Sequence, residues 1–407
     1  MEKLDIDIKG VKTPLIYEYS SSLPIVNLKL VFKVAGSIYA MKPGLAKISA
    51  ALLNEGTKQL GVNEFSKRLE MLAIDINASA GFESFSIEIN CLKEHFKFAF
   101  DMLIGLLSDP NYSEDTLNKL KINALGIIAA NASDFDYQAK VKLNEILFDG
   151  TNLSLPSIGT KSSIESIEID DIRNCLIHNL DISNLFLVLG GDIKVCDVDF
   201  QALKNVLKKG KLREIKKIQT SDKCKKEFVI KQSEQAYVYF GSPFNVEDDE
   251  KYLASVATFI LGSSGFGSRL MEEIRVKRGL AYSVYARNDL NLSYKAISGY
   301  LQTKNESKDE AISVVQSEFE NFLRDGVSQK ELDQAKNFLL GSEPLSKETL
   351  FKRLSIAQNE YYFGYELGEF DRNLNKIKDL KLDRLNEFIK SHDEILKQSF
   401  AVIYNEI

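Results

Sequence analysis

The chain has 407 residues, 44% of them hydrophobic and only 7 of them proline, with a net charge of −6 from 52 Lys+Arg against 58 Asp+Glu. That length exceeds one ordinary core and predicts two or three ordered domains, while charges of both signs mixed along the chain exclude the basic stripe of a nucleic-acid binder. Cys91, Cys175, Cys196 and Cys224 have no C-x-x-C spacing, which argues against a disulfide framework. No run of about 18 apolar residues is present to cross a bilayer. The N-terminal MEKLDIDIKGVKTP lacks the apolar core of a secretory signal, so the expected compartment is the cytoplasm, or the periplasm if a signal has been removed.

Strand signals come first in the chain. Residues 17–20 form a short one, and PIVNLKLVFKVAG (24–36) has the β-branched and aromatic content of a strand buried on both faces. A helical stretch, PGLAKISAALLNEGTKQLG (43–61), follows. Residues 74–81 and 83–92 predict a hairpin around Gly81, with Phe85, Ile87, Ile89 and Cys91 on one face and Ser84, Ser86, Glu88 and Asn90 on the other. KEHFKFAFDMLIGLLSDP predicts an amphipathic helix that stops before Asp109-Pro110, since proline disfavours helical backbone in the residue before it. Ser113 is an expected N-cap with Glu114 and Asp115 in the first turn. Helix then continues to Phe148, broken near Ser133-Asp134, and residues 183–193 form a strand.

The second half repeats this order. QAYVYFGSPF (235–244) is a strand, EKYLASVATFILG (250–262) and SRLMEEIRVKRG (268–279) are helices, AYSVYARND and KAISGYLQT pair as strands, a long helix and further helices follow, and SFAVIYNEI closes. Two copies of one α+β unit fit this better than unrelated domains. The expected division is 1–205, a lysine-rich solvated linker at 206–227, and 228–407.

Residues 47 and 51 lie four apart on one helix face, where two imidazoles could share a metal. Lys47 and Ala51 stand there instead, and neither offers zinc a lone pair at neutral pH. The 43–61 stretch nonetheless resembles the signature helix of the M16 (pitrilysin-like, inverzincin) peptidases, which opens with G-L-A, carries H-x-x-E-H and closes on G-T. Gly44, Leu45 and Ala46 are kept in front, and Glu55, Gly56 and Thr57 behind. The resemblance implies zinc ligands at positions 47 and 51, a general base at 50 and a third, glutamate ligand near 127–130. Lys47, Ala50 and Ala51 occupy the first three, and no Glu lies between Glu114 and Glu145.

A second resemblance to the same family lies at SSGFGSRLMEEIRVKRGLAYSVYAR (263–287). Arg275 and Tyr282 match an arginine and tyrosine that in the family bind the substrate backbone and stabilise the intermediate at zinc. A guanidinium and a phenol can both donate to a carbonyl and to the oxyanion formed from it. The structural alternative pairs Arg275 with Glu272 and leaves Tyr282 as strand packing. Asn77, Ala78, Ser79, Ala80 and Gly81 correspond to the family's edge strand, where an extended substrate adds by main-chain hydrogen bonds; their small side chains equally suit a hairpin turn.

Other sites are weaker. Cys91 and His95 straddle a strand-to-helix junction, GSSGFG (262–267) reads as a turn without the G-K-[ST] of a phosphate loop, and Ser263 has no histidine nearby in sequence. The family resemblance implies two homologous α+β domains, each a mainly antiparallel sheet backed by helices, opening like a clamshell. It further implies a subunit with no metal or cofactor of its own, inactive alone, contributing Arg275 and Tyr282 in trans to a zinc-bearing partner in a heterodimeric processing peptidase that takes unfolded peptide. A homodimer without the partner is a further expectation. The alternative is a structural subunit like the M16-like core proteins of respiratory complexes.

Overall fold

Lys9 and Gly10, with φ of 57° and 72°, close a tight turn between β1 (Glu2–Ile8) and β2 (Val11–Tyr19) in the computed structural model, which describes residues 1–265 and 267–406. Positive φ at both central residues is the turn whose twist matches paired strands, so the short strand expected at 17–20 is the end of a full hairpin. β3 (Ile25–Lys33) leads to α1 (Leu45–Leu53) and α2 (Gly61–Glu70), and β4 (Asp75–Ala80) and β5 (Ser84–Leu92) form the expected hairpin. α3 (Phe96–Ser108), α4 (Glu114–Asn131) and α5 (Phe135–Leu147) follow, with Ser113 Oγ accepting from Thr116 N at 3.2 Å and Asp134 capping α5. β6 (Leu185–Gly191), buried throughout, completes a six-stranded sheet in the order β1-β2-β6-β3-β5-β4.

The second half builds β7 (Lys226–Ile230), β8 (Gln235–Pro243), β9 (Ala281–Leu290), β10 (Lys295–Lys304) and β11 (Ser399–Tyr404) into a sheet ordered β7-β11-β8-β10-β9. Each sheet holds one parallel pair, β2 with β6 and β7 with β11, and its remaining ladders are antiparallel. Strand for strand the second sheet repeats β2-β6-β3-β5-β4, so the internal repeat is a repeat of topology.

The compact units interleave the sequence halves. One comprises 1–129, 156–215 and 345–370, the other 130–155, 216–344 and 371–407. In the first, the helix Leu350–Tyr362 lays Leu350, Leu354 and Ala357 on Ile16, Val31, Phe186 and Val188. A Cβ at Gly190 would lie 2.6 Å from Leu354 Cδ1, so any side chain there would push that leucine out of its seat. Arg353 Nη2 fixes the helix to Glu18 at 2.6 Å. In the second, α5 packs on β8 and β11, and a Cβ at Gly241 would lie 2.8 Å from Leu147 Cδ1. Each sheet thus holds a leucine in a glycine notch, and each leucine comes from the other half of the sequence.

The 206–227 segment differs from a free linker. Its lysines are exposed, but its main chain is tied down. In the first unit Asn184 Nδ2 donates to Lys211 O at 2.8 Å, Arg213 N donates to Asn184 Oδ1 at 2.8 Å, and the Arg213 guanidinium meets Asp181 Oδ2 at 2.8 Å. In the second, Ile218 N donates to Ser293 O at 2.7 Å and Thr220 Oγ1 to Lys295 O at 2.8 Å.

Candidate functional site

α1 begins at Gly44, whose φ of 85° is a left-handed conformation that glycine adopts without strain. A Cβ there would fall 2.6 Å from both Ile158 O and Ile164 Cδ1. At the far end Glu55 receives Lys119 Nζ from α4 at 2.7 and 2.9 Å, and Thr57 Oγ1 accepts from Leu60 N at 3.1 Å. The kept residues at both ends of this helix therefore hold backbone and packing in place.

Between those ends the chemistry is absent. Ala50 is 3% exposed and carries a methyl group where a base would stand, and Ala51 is half-buried. Lys47 is also half-buried, and burial pushes its ammonium below the ordinary lysine range. α4 covers 127–130 with Ile127 half exposed and no acid. These residues do not fit zinc, which needs three or four N, O or S ligands. Among the described residues no group of three His, Cys, Asp or Glu side chains is placed to share a metal.

β4 is an edge strand of its sheet and packs beside α1. Ala78 and Ala80 are buried, while Asn77, Ser79 and Gly81 are exposed. The carboxamide of Asn54, at the end of α1, occupies the edge: Ala78 N donates to Asn54 Oδ1 at 2.7 Å, and Asn54 Nδ2 donates to Ala78 O at 3.0 Å. Asn54 escaped the sequence reading; the signal was a lone amide directly after an apolar helix.

In the second unit, Met271–Lys277 winds as a π-helix where the sequence predicts an ordinary one. Glu273 pairs with Lys277 and, five residues on, with Arg278 at 2.5 Å. Arg275 Cζ sits 4.5 Å from the centre of the Tyr282 ring, a cation–π contact. Tyr282 is aimed by a bulge. Val284 pairs with Leu301 and Ala281 with Thr303, so Tyr282 and Ser283 together oppose Gln302. Ala281 and Val284 stay buried while Tyr282 is 81% exposed. The structure thus brings Arg275 and Tyr282 together on an open surface.

Ser268-Arg269-Leu270 supports this turn. Ser268 Oγ donates to Gly265 O at 2.8 Å, Leu270 is fully buried, and Arg269 meets Glu331 at 2.6 and 2.9 Å while donating to Gly326 O at 2.8 Å. Burial acts to raise the Glu331 carboxyl, but Arg269 and the Ser328 N–H and hydroxyl outweigh it and hold it down to about 2. Within the 262–267 turn, Phe266 lies outside the described residues, as does Ile407 of the closing segment. Ser263 Oγ donates to Ala286 O at 2.7 Å, which commits that hydroxyl to the backbone. Burial pushes the Cys91 thiol up to about 11, so without a metal it stays protonated at neutral pH. No helix among the described residues is long and apolar enough to cross a membrane.

Residues 15–161 match the family model described as "Insulinase (Peptidase family M16)", and residues 166–339 match "Peptidase M16 inactive domain". The chain is 41% identical to a protein of Helicobacter pylori called "Non-peptidase homolog YmxG", over 98% of this chain and 94% of that one. A crystal structure of a peptidase M16 inactive domain from Pseudomonas fluorescens superposes with a TM-score of 0.92 at 22% identity, covering 100% of this chain and 98% of that one. A chain of complex III2 from Candida albicans superposes with a TM-score of 0.79 at 16% identity, covering 99% of this chain and 95% of its own.

Proposed function

The chain belongs to the M16 peptidase family, and from that premise we propose that it acts as the zinc-free subunit of a two-chain M16 peptidase. A zinc-bearing partner supplies the H-x-x-E-H helix, the metal and the activated water. This chain helps enclose an unfolded peptide, receives it along Asn77, Ala78, Ser79, Ala80 and Gly81, and offers Arg275 and Tyr282 to the scissile carbonyl. A guanidinium and a phenol held in advance stabilise the negative charge that develops on that oxygen without reorganising during reaction.

One observation carries the reading. Arg275 is stacked on an exposed Tyr282, in a chain whose inverted-motif positions hold no metal donor. Co-expression with an M16 protein that carries an intact H-x-x-E-H tests it. The expected result is an equimolar complex that cleaves a quenched fluorogenic peptide, with neither chain active alone. Failure to form a complex overturns the reading. A complex whose turnover is the same with or without this chain's Arg275 makes it a structural subunit instead.

A further inference from the structure

The geometry points to Asn54 as a gate on the β4 edge, its side-chain amide standing where the backbone amide of a docking peptide would bind. The inference rests on the peptide-binding part of the reading above. Main-chain groups of alternate strand residues face opposite neighbours. Gly81 N donates to Ser84 O at 2.8 Å, within the hairpin, so Gly81, Ser79 and Asn77 face β5. Ile76, Ala78 and Ala80 then face the open edge. Of these, Ala78 has both its N–H and its C=O taken by Asn54, at 2.7 and 3.0 Å. A carboxamide is the same chemical group as a peptide bond, so Asn54 satisfies the middle of the edge as a strand would.

An extended peptide can run along this edge only by displacing Asn54. Displacement gives up the two bonds to Ala78, which the peptide replaces, and a longer one from Asn54 Nδ2 to Asn77 Oδ1 at 3.2 Å, which water can replace because both side chains are exposed, so the exchange is close to balanced. The backbone of Asn54 is held separately, its N–H donating to Ala51 O at 3.1 Å, so the side chain can swing without unwinding α1. The gate also interrupts the edge at its middle, which works against pairing with another copy when no peptide is present.

The test uses the full chain and its Asn54→Ala variant. Amide hydrogen exchange reads the clamp, and fluorescence anisotropy reads binding of a labelled peptide of Thr-Val-Lys repeats. A version N-methylated at alternate residues, unable to add to a strand, is the control. In Asn54→Ala the Ala78 amide should exchange at least about tenfold faster, and the unmethylated peptide should bind about 5- to 10-fold tighter, the worth of one net hydrogen bond. Asn54→Asp, which keeps the acceptor but loses the donor, should retain protection at Ala78 and fall between. Equal affinity in both chains, or binding indifferent to N-methylation, overturns the gate. So does a variant that pairs with itself at unchanged peptide affinity. If Ala78 loses protection but neither chain binds peptide, docking at this edge fails, whereas the role of Arg275 and Tyr282 stands or falls on the co-expressed pair.

Discussion

The guanidinium of Arg275 lies 4.5 Å from the centre of the Tyr282 ring, and the two residues reach that position by independent irregularities, a π-helical segment and a β-bulge. Ordinary helix and strand geometry would aim each side chain elsewhere. In the reconstituted pair, Arg275→Ala should lower kcat by about 10²-fold or more, the usual cost of removing one oxyanion donor. Tyr282→Phe keeps the ring under Arg275 and removes only the phenolic donor, so a loss of about tenfold is expected. Stopped-flow turnover of a fluorogenic peptide decides, and unchanged kcat in both would leave the pair as packing.

Arg269 and Glu331 give the second unit an acid limit. The folded Glu331 carboxyl, at about 2, lies below its ordinary range. Its stabilisation is therefore fully present above the unfolded-state value near 4.5 and is lost as pH falls toward 2. About 3 kcal/mol is at stake, at roughly 1.4 kcal/mol for each pH unit of separation. Urea midpoints measured from about pH 6 to about pH 2.5 should fall more steeply in the native chain than in Glu331→Gln, and parallel curves would contradict this.

Two glycines should respond in opposite directions. Gly44→Ala forces an alanine to φ of 85° and drives its methyl into Ile158 O, so a loss of about 2–4 kcal/mol is expected. Gly126, inside α4, has open space where an added methyl group would lie, and Gly126→Ala should gain about 0.5–1 kcal/mol of helix propensity. Thermal unfolding followed by circular dichroism checks both signs.

Asp181 is 5% exposed in its side chain and receives both Arg213 and the Asn184 amide. Asp181→Ala should cost about 3–5 kcal/mol, because it strands a largely buried guanidinium. Asp181→Ala with Arg213→Met, which removes both charges, should recover a large part of that loss in chemical denaturation.

Much of the fold was legible because it is written in local pattern. The β4–β5 hairpin shows strict alternation, α3 stops at Asp109-Pro110, and Ser113 and Asp134 cap their helices as polar residues ahead of apolar runs do. The β1–β2 hairpin went unread, although LDIDI alternates and Lys9-Gly10 forms its turn; only a short strand at 17–20 was expected. What local pattern could not carry is partnership at long range. Nothing within Leu350–Tyr362 says that Leu354 fills a notch at Gly190, and nothing near Asn54 says that Ala78 is its partner. Once the resemblance marked positions 47, 50 and 51, the lack of metal donors at Lys47, Ala50 and Ala51 was plain from residue types, whereas the stacking of Arg275 on Tyr282 depends on a bulge whose register only the paired strands reveal.

The interleaving of the units decides how the molecule can be dissected. The main chain passes from one unit to the other after residues 129, 155, 215, 344 and 370. A protease nick between Lys216 and Lys225 severs just one of these passages. A fragment ending there would carry α5 without the β8–β11 surface that α5 covers, and would expose Phe186 and Val188, which belong beneath Leu354. The two pieces should therefore elute together after nicking and aggregate when expressed singly, because each unit is built from both pieces.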